Sequence, residues 1–291
     1  MPFNFYQHLG ISSSTTFDTN HKFVTSPLFP RASIALACIR LSIALYTLFV
    51  LLFSIIWESV RWGDGEQYFS FFTHLSYIGL CSYFFASGIQ TLFYALRLRK
   101  GGTGYPLQRW GYSLQALHIL LASTVVTFPI IVTIVFWGLL SSPSTFSSMY
   151  NSWSAISVHA LNVVFCVFEI ILTNIPAAPW ITLPFGLLFL GGYLGVAYLT
   201  KATQGFYTYA FLDPTKQHAL LAAYIIGIAV AEIIIFFIVR LIMTFRERYC
   251  ARRGLTQLSD DEGDMEQGRR DMKERIDEWE EIERPKSTLR S

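Results

Sequence analysis

Six long apolar runs set the terms for this chain. They cover residues 32–57, 69–96, 113–140, 154–173, 182–199 and 219–243, each near the ~20 residues that a bilayer crossing requires. Backbone N–H and C=O groups cannot go unpaired in hydrocarbon, so only helices or closed barrels cross it. Runs of this length without period-two alternation predict helices. The expected fold is all-α: a polytopic integral membrane protein of six transmembrane helices. Composition agrees, with 53% hydrophobic residues, only 14% charged residues and a mean hydropathy of +0.42.

The chain divides into a polar segment over residues 1–30, a membrane domain over 31–245 and a charged tail over 246–291. The first segment is rich in serine, threonine and proline and is expected to be poorly ordered. The tail mixes acids and bases and reads as a flexible or solvated helical extension. Lys22, Arg31, Arg97, Arg99, Lys100, Arg109, Arg246, Arg248, Arg252 and Arg253 fall on one side of the six-span arrangement, and Arg61, Lys201 and Lys216 on the other. That bias predicts cytoplasmic N- and C-termini. The first apolar run starts late and is too long for a signal-peptide core, so no cleaved leader is expected. A net charge of +2 gives no reason to expect a nucleic-acid partner. The cysteines Cys38, Cys81, Cys166 and Cys250 lack metal-type spacing, and no cofactor is expected; Cys250 reads as a plain juxtamembrane thiol.

Polar side chains inside the spans are the candidates for function, because each costs free energy unless it meets a partner or a wet cavity. Thr73 and His74 sit about one turn into the second run, and His159 sits five residues into the fourth. At ~1.5 Å per residue Thr73 lies roughly 6 Å, and His159 roughly 7–8 Å, below the same face. His74, Asn162, Tyr198, Tyr207 and Tyr209 fall near that level and are candidates for lining a site. His74 points about 100° away from Thr73 on a helix, so His159 is the expected base. Deeper, toward the other face, Arg40 is expected to form a buried ion pair with Glu169 or Glu232. A threonine with an imidazole in reach can act as nucleophile and base toward an acyl carbon, with backbone N–H groups, Asn162 or a tyrosine hydroxyl as oxyanion donors.

Three segments together resemble the androgen-induced-protein family of six-span membrane hydrolases. They are FFT at residues 71–73, His159 followed ten residues later by Glu169 in HALNVVFCVFEI, and GGYLGVAYLTKATQGFYTYAFLD at residues 191–213. The resemblance spans about residues 32–243. It implies hydrolysis of fatty acid esters of hydroxy fatty acids, with Thr73 as nucleophile and His159 as its partner, in the endoplasmic reticulum or a connected membrane, on a lipid ester drawn from the bilayer. The longer terminal extensions and His74 after the nucleophile depart from the family pattern. Two other classes fit parts of the sequence. A haem-binding redox protein could use His74 and His159 as axial ligands. A transporter or non-catalytic scaffold could use the breaks around Pro176, Pro179, Pro184 and Gly191.

Overall fold

The computed structural model describes residues 4–12, 14–28, 33–253 and 272–273. Among these, six helices are long and apolar enough to span a membrane: α1 Ser33–Trp62, α2 Phe72–Arg99, α3 Tyr112–Leu140, α4 Met149–Leu172, α5 Thr182–Gln204 and α6 Leu220–Arg252. They match the six runs read from the sequence. The largest difference is at α6, which continues nine residues beyond 243 as a basic helical extension. The tail expected at 246–291 therefore begins inside a helix, and most of the rest of it lies outside the described residues.

Large apolar side chains cover the outside, and the largely apolar core also encloses polar side chains. Leu45, Leu52 and Ile56 on α1, Leu188 and Leu199 on α5, and Leu241 and Phe245 on α6 are all exposed, whereas Gln90, Thr91, Gln115 and His118 are buried. Lipid solvates the outer side chains as well as a core would, so association rests on close packing and internal hydrogen bonds. The α1–α2 pair shows this. A Cβ added at Gly88 would lie 2.9 Å from Leu41 Cδ2 and 3.3 Å from Arg40 Cβ, so the missing side chain permits the approach.

The N-terminal segment departs from expectation. Its described residues dock on the bundle, burying Leu9, Ile11, Phe17, Phe23 and Val24. Asp18 accepts from the Lys22 and Phe23 amides at 2.9 and 3.0 Å and from the Tyr105 hydroxyl at 2.7 Å. Gln108 Nε2 donates to the Phe17 and Asp18 carbonyls, and Asn174 N donates to the Thr25 carbonyl at 3.0 Å. Composition suggested disorder, but a few apolar residues and a tight turn tie the segment down.

This same end of the bundle closes the C-terminus of α4, whose last carbonyls have no intrahelical donors. Thr173 Oγ1 donates to the Glu169 carbonyl at 2.8 Å and Ser26 Oγ to the Leu172 carbonyl at 2.5 Å. The Arg246 guanidinium donates to the Ile170 and Ile175 carbonyls. Arg240 lies 4.4 Å over the Trp180 ring and donates to the Ala178 carbonyl.

Beneath the docked segment lies the buried ion pair. Arg40 Nε donates to Glu169 Oε1 at 2.8 Å and Nη2 to Oε2 at 2.7 Å, while Nη1 donates to the Phe23 carbonyl and Thr91 Oγ1, both at 2.7 Å. Tyr83 and Thr173 hydroxyls donate to Glu169 Oε2 at 3.2 and 3.1 Å. Glu232, the other carboxylate considered for Arg40, makes no ion pair among the described residues, and its Oε2 has no hydrogen-bond partner. The rotation of α4 puts Glu169, not Glu232, opposite Arg40.

Candidate functional site

At the opposite end of the bundle α2 starts abruptly. Phe71 is extended (φ −100°, ψ 132°) and offers no side-chain cap, so the amides of Phe72 and Thr73 in the first turn lack intrahelical acceptors. The Tyr209 hydroxyl faces this turn, near the Thr73 hydroxyl and amide, the Phe72 amide and the Tyr193 hydroxyl. Burial pushes the Tyr209 phenol up, with those neighbouring groups partly offsetting the shift. Tyr193 in turn donates to the Ser70 carbonyl at 3.1 Å and reaches Thr208 Oγ1 at 3.0 Å. Three hydroxyls and two amides therefore meet around the start of one helix, with its positive dipole end behind them.

These groups form the polar end of a cavity of about 260 Å³. Thr73, Tyr193 and Tyr209 line it, and the rest of the wall is apolar, including Val132 and Phe136 of α3, Leu190 of α5 and Ile228 of α6. The volume lies just below the ~300–1,000 Å³ typical of small-molecule sites.

His159 stands beside this cavity without lining it. It occupies a π turn, Ser157–Leu161, that widens α4. The His159 carbonyl accepts from Thr133 Oγ1 at 2.8 Å and Trp137 Nε1 at 3.1 Å. The ring lies parallel to Phe136, 3.5 Å away with 4° between planes, and Nδ1 is buried with no hydrogen-bond partner. Phe136 thus touches His159 and also forms part of the cavity wall next to Thr73. Among the described residues no hydrogen bond joins Thr73 to His159; Phe136, which stacks on the His159 ring, lines the same cavity as Thr73.

Of the residues expected to line a site, only Tyr209 does so. His74 gives its Nδ1 to the Tyr68 carbonyl at 2.7 Å and stacks on Tyr68 at 3.8 Å, holding the turn before α2. Asn162 Oδ1 accepts from Thr133 at 3.2 Å. The Tyr198 hydroxyl is 3.4 Å from the Leu212 carbonyl, and the Tyr207 ring carries Lys201 Nζ at 4.8 Å. These four side chains build helix contacts and the 205–219 loop rather than the cavity, because each faces a neighbour on a different side of its own element. Tyr193 and Phe136 were not singled out from sequence; an aromatic residue among many in a span carries no mark of the cavity it faces.

A haem pair would need His74 and His159 to face one slot, and neither lines the cavity at this end. Among the described residues no group of three or more His, Cys, Asp or Glu side chains is placed to hold a metal ion.

Six spanning helices around a buried polar end define the class: a helical, polytopic membrane protein. Comparison with protein-family models, with curated proteins and with solved structures returned no match.

Proposed function

We propose that the protein hydrolyses a lipid carboxylic ester, of the fatty acid ester of hydroxy fatty acid type, within the membrane, with Thr73 as nucleophile and His159 as base. One observation carries the reading: Thr73 lines an otherwise apolar cavity whose polar end also holds Tyr193 and Tyr209. An acyl chain entering this cavity would bring its ester group to the hydroxyl. Thr73 Oγ1 would bond to the acyl carbon as its proton passes to the imidazole, Tyr209 would donate to the oxyanion, and the alcohol would leave with that proton. Water would then release the acid. For the imidazole to take the proton it must come within ~3 Å of Thr73, directly or through one water, which requires the Phe136 ring to turn off it.

The bias of lysine and arginine supports cytoplasmic termini, and with them a site near the non-cytoplasmic leaflet, in the endoplasmic reticulum or a connected membrane. The experiment is covalent labelling of purified protein with a fluorophosphonate, alongside turnover of a model fatty acid ester. Thr73→Ala should abolish labelling, and His159→Ala should slow both readouts at least ~100-fold. Labelling retained in Thr73→Ala would falsify the nucleophile assignment.

A further inference from the structure

Two cavities lie along α3 and α6 and beside the start of α5, with a band of residues between them. One is the Thr73 cavity. The other, about 530 Å³, lies at the end of the bundle that carries the N-terminal segment, lined by Ser123, Val126, Ile181, Arg240 and Met243 among others. On α3 the first cavity begins at Ile131 and the second ends at Val126; ahead of and on α5 they are divided between Ile181 and Leu187; on α6 between Ala229 and Arg240. The shortest of these gaps, on α3, is about 7.5 Å at 1.5 Å per residue. In the gaps fall Thr127 and Phe128, Gly186, and Glu232.

Glu232 is 1% exposed, and its Oε2 has no hydrogen-bond partner. Thr127 is a polar neighbour. Gly186 leaves room for it, since an added Cβ there would be 3.7 Å from Glu232 Oε1 and 3.9 Å from Phe128. Among the described residues no cation pairs with it. An unmatched carboxyl group at this depth costs several kcal/mol, and a leucine would fill the band without that cost. Packing therefore does not explain Glu232. One helical turn before Thr127 on α3, Ser123 lines the second cavity. Beyond Glu232 the Thr73 cavity ends in the Thr73, Tyr193 and Tyr209 hydroxyls.

We propose that Glu232 is a proton-carrying site joining these two cavities, and that the protein moves protons through the α3–α5–α6 interior, an activity separate from ester hydrolysis. Water in one cavity gives a proton to Glu232 Oε2, and the carboxyl group returns it to water in the other. Each cycle moves one positive charge, which potassium with valinomycin can balance.

The test is the full-length protein in liposomes holding a pH-sensitive dye, with an imposed pH gradient and valinomycin present. Wild type should equilibrate several-fold faster than protein-free vesicles. Glu232→Gln, which keeps the shape, should fall to the protein-free rate while keeping wild-type turnover of the model ester, and so separate this result from the hydrolase reading. Equal rates for wild type and Glu232→Gln, or for wild type and empty vesicles, would overturn the proposal. Should Glu232→Gln not fold, an apolar carbodiimide supplies the same test on wild type. The Glu232 carboxyl adds across its N=C bond and rearranges to an N-acylurea, with no leaving group. Flux blocked in proportion to modification at Glu232, read by mass spectrometry, supports the carrier. Unchanged flux at full modification overturns it.

Discussion

Arg40 shows how a charge is held in this bundle. Four of its five N–H donors meet two carboxylate oxygens of Glu169, a backbone carbonyl and a threonine hydroxyl, and both members of the pair are fully buried. A pair closed in this way gains little over an apolar pair of the same size, but removing one member strands the other. Arg40→Ala should therefore lower stability by about 3–5 kcal/mol, measured by chemical or thermal unfolding in detergent. The double variant Arg40→Ala with Glu169→Ala should cost less than the sum of the two single changes, as residues sharing one network are coupled. A strictly additive result would remove the network from the account. Thr73 shows a different principle. A hydroxyl at the second position of a helix is common; its setting becomes chemical only through Tyr193 and Tyr209, which arrive from distant parts of the chain.

Among the elements, the α1–α2 pair depends on the absence of a side chain at Gly88. Gly88→Leu would push against Leu41 and Arg40 Cβ, and should cost about 1–3 kcal/mol from overpacking, with a matching fall in melting temperature. Unchanged melting would mean that α1 can shift without penalty. The helices that build the site are irregular where the site requires it. α4 widens at Ser157–Leu161 and α3 at Phe136–Leu140, placing His159 and Phe136 against each other. α3 is also interrupted at Val126–Thr127, just before Pro129, which lacks an N–H to donate. The interruption it accompanies falls between the two cavities.

The whole molecule is closed at one end by its own N-terminal segment, and Asp18 is the anchor. Burial pushes its carboxyl group up to about 6, and the donors at Phe23, Tyr105 and Lys22 recover only part of that shift. The folded state thus binds this proton more tightly than the unfolded chain does. The stabilisation is fully present below about pH 4, where an unfolded aspartate is also protonated, and is lost as pH rises through 6. Melting temperature should fall from pH 4 to pH 7 in wild type more than in Asp18→Asn, whose side chain has no proton to lose. Parallel curves would show that the docked segment does not sense this group.

The number of spans, their approximate limits and the need for Arg40 to find a carboxylate could all be read from the chain, because they follow from local hydrophobicity and from the cost of a lone charge in hydrocarbon. Helix ends were legible to within a few residues except at α6, where basic residues continue the helix past the apolar run. Which carboxylate meets Arg40, whether the N-terminal segment docks, and which aromatic residues surround Thr73 were decided only by tertiary structure. Those outcomes depend on the rotation of each helix about its axis and on irregular turns such as the one at His159. Hydropathy is nearly blind to rotation when lipid accepts any apolar side chain and the interior accepts many polar ones. The same blindness hid Glu232, which in the sequence is one of two acids that could have answered Arg40, and in the folded protein is left unpaired between two cavities.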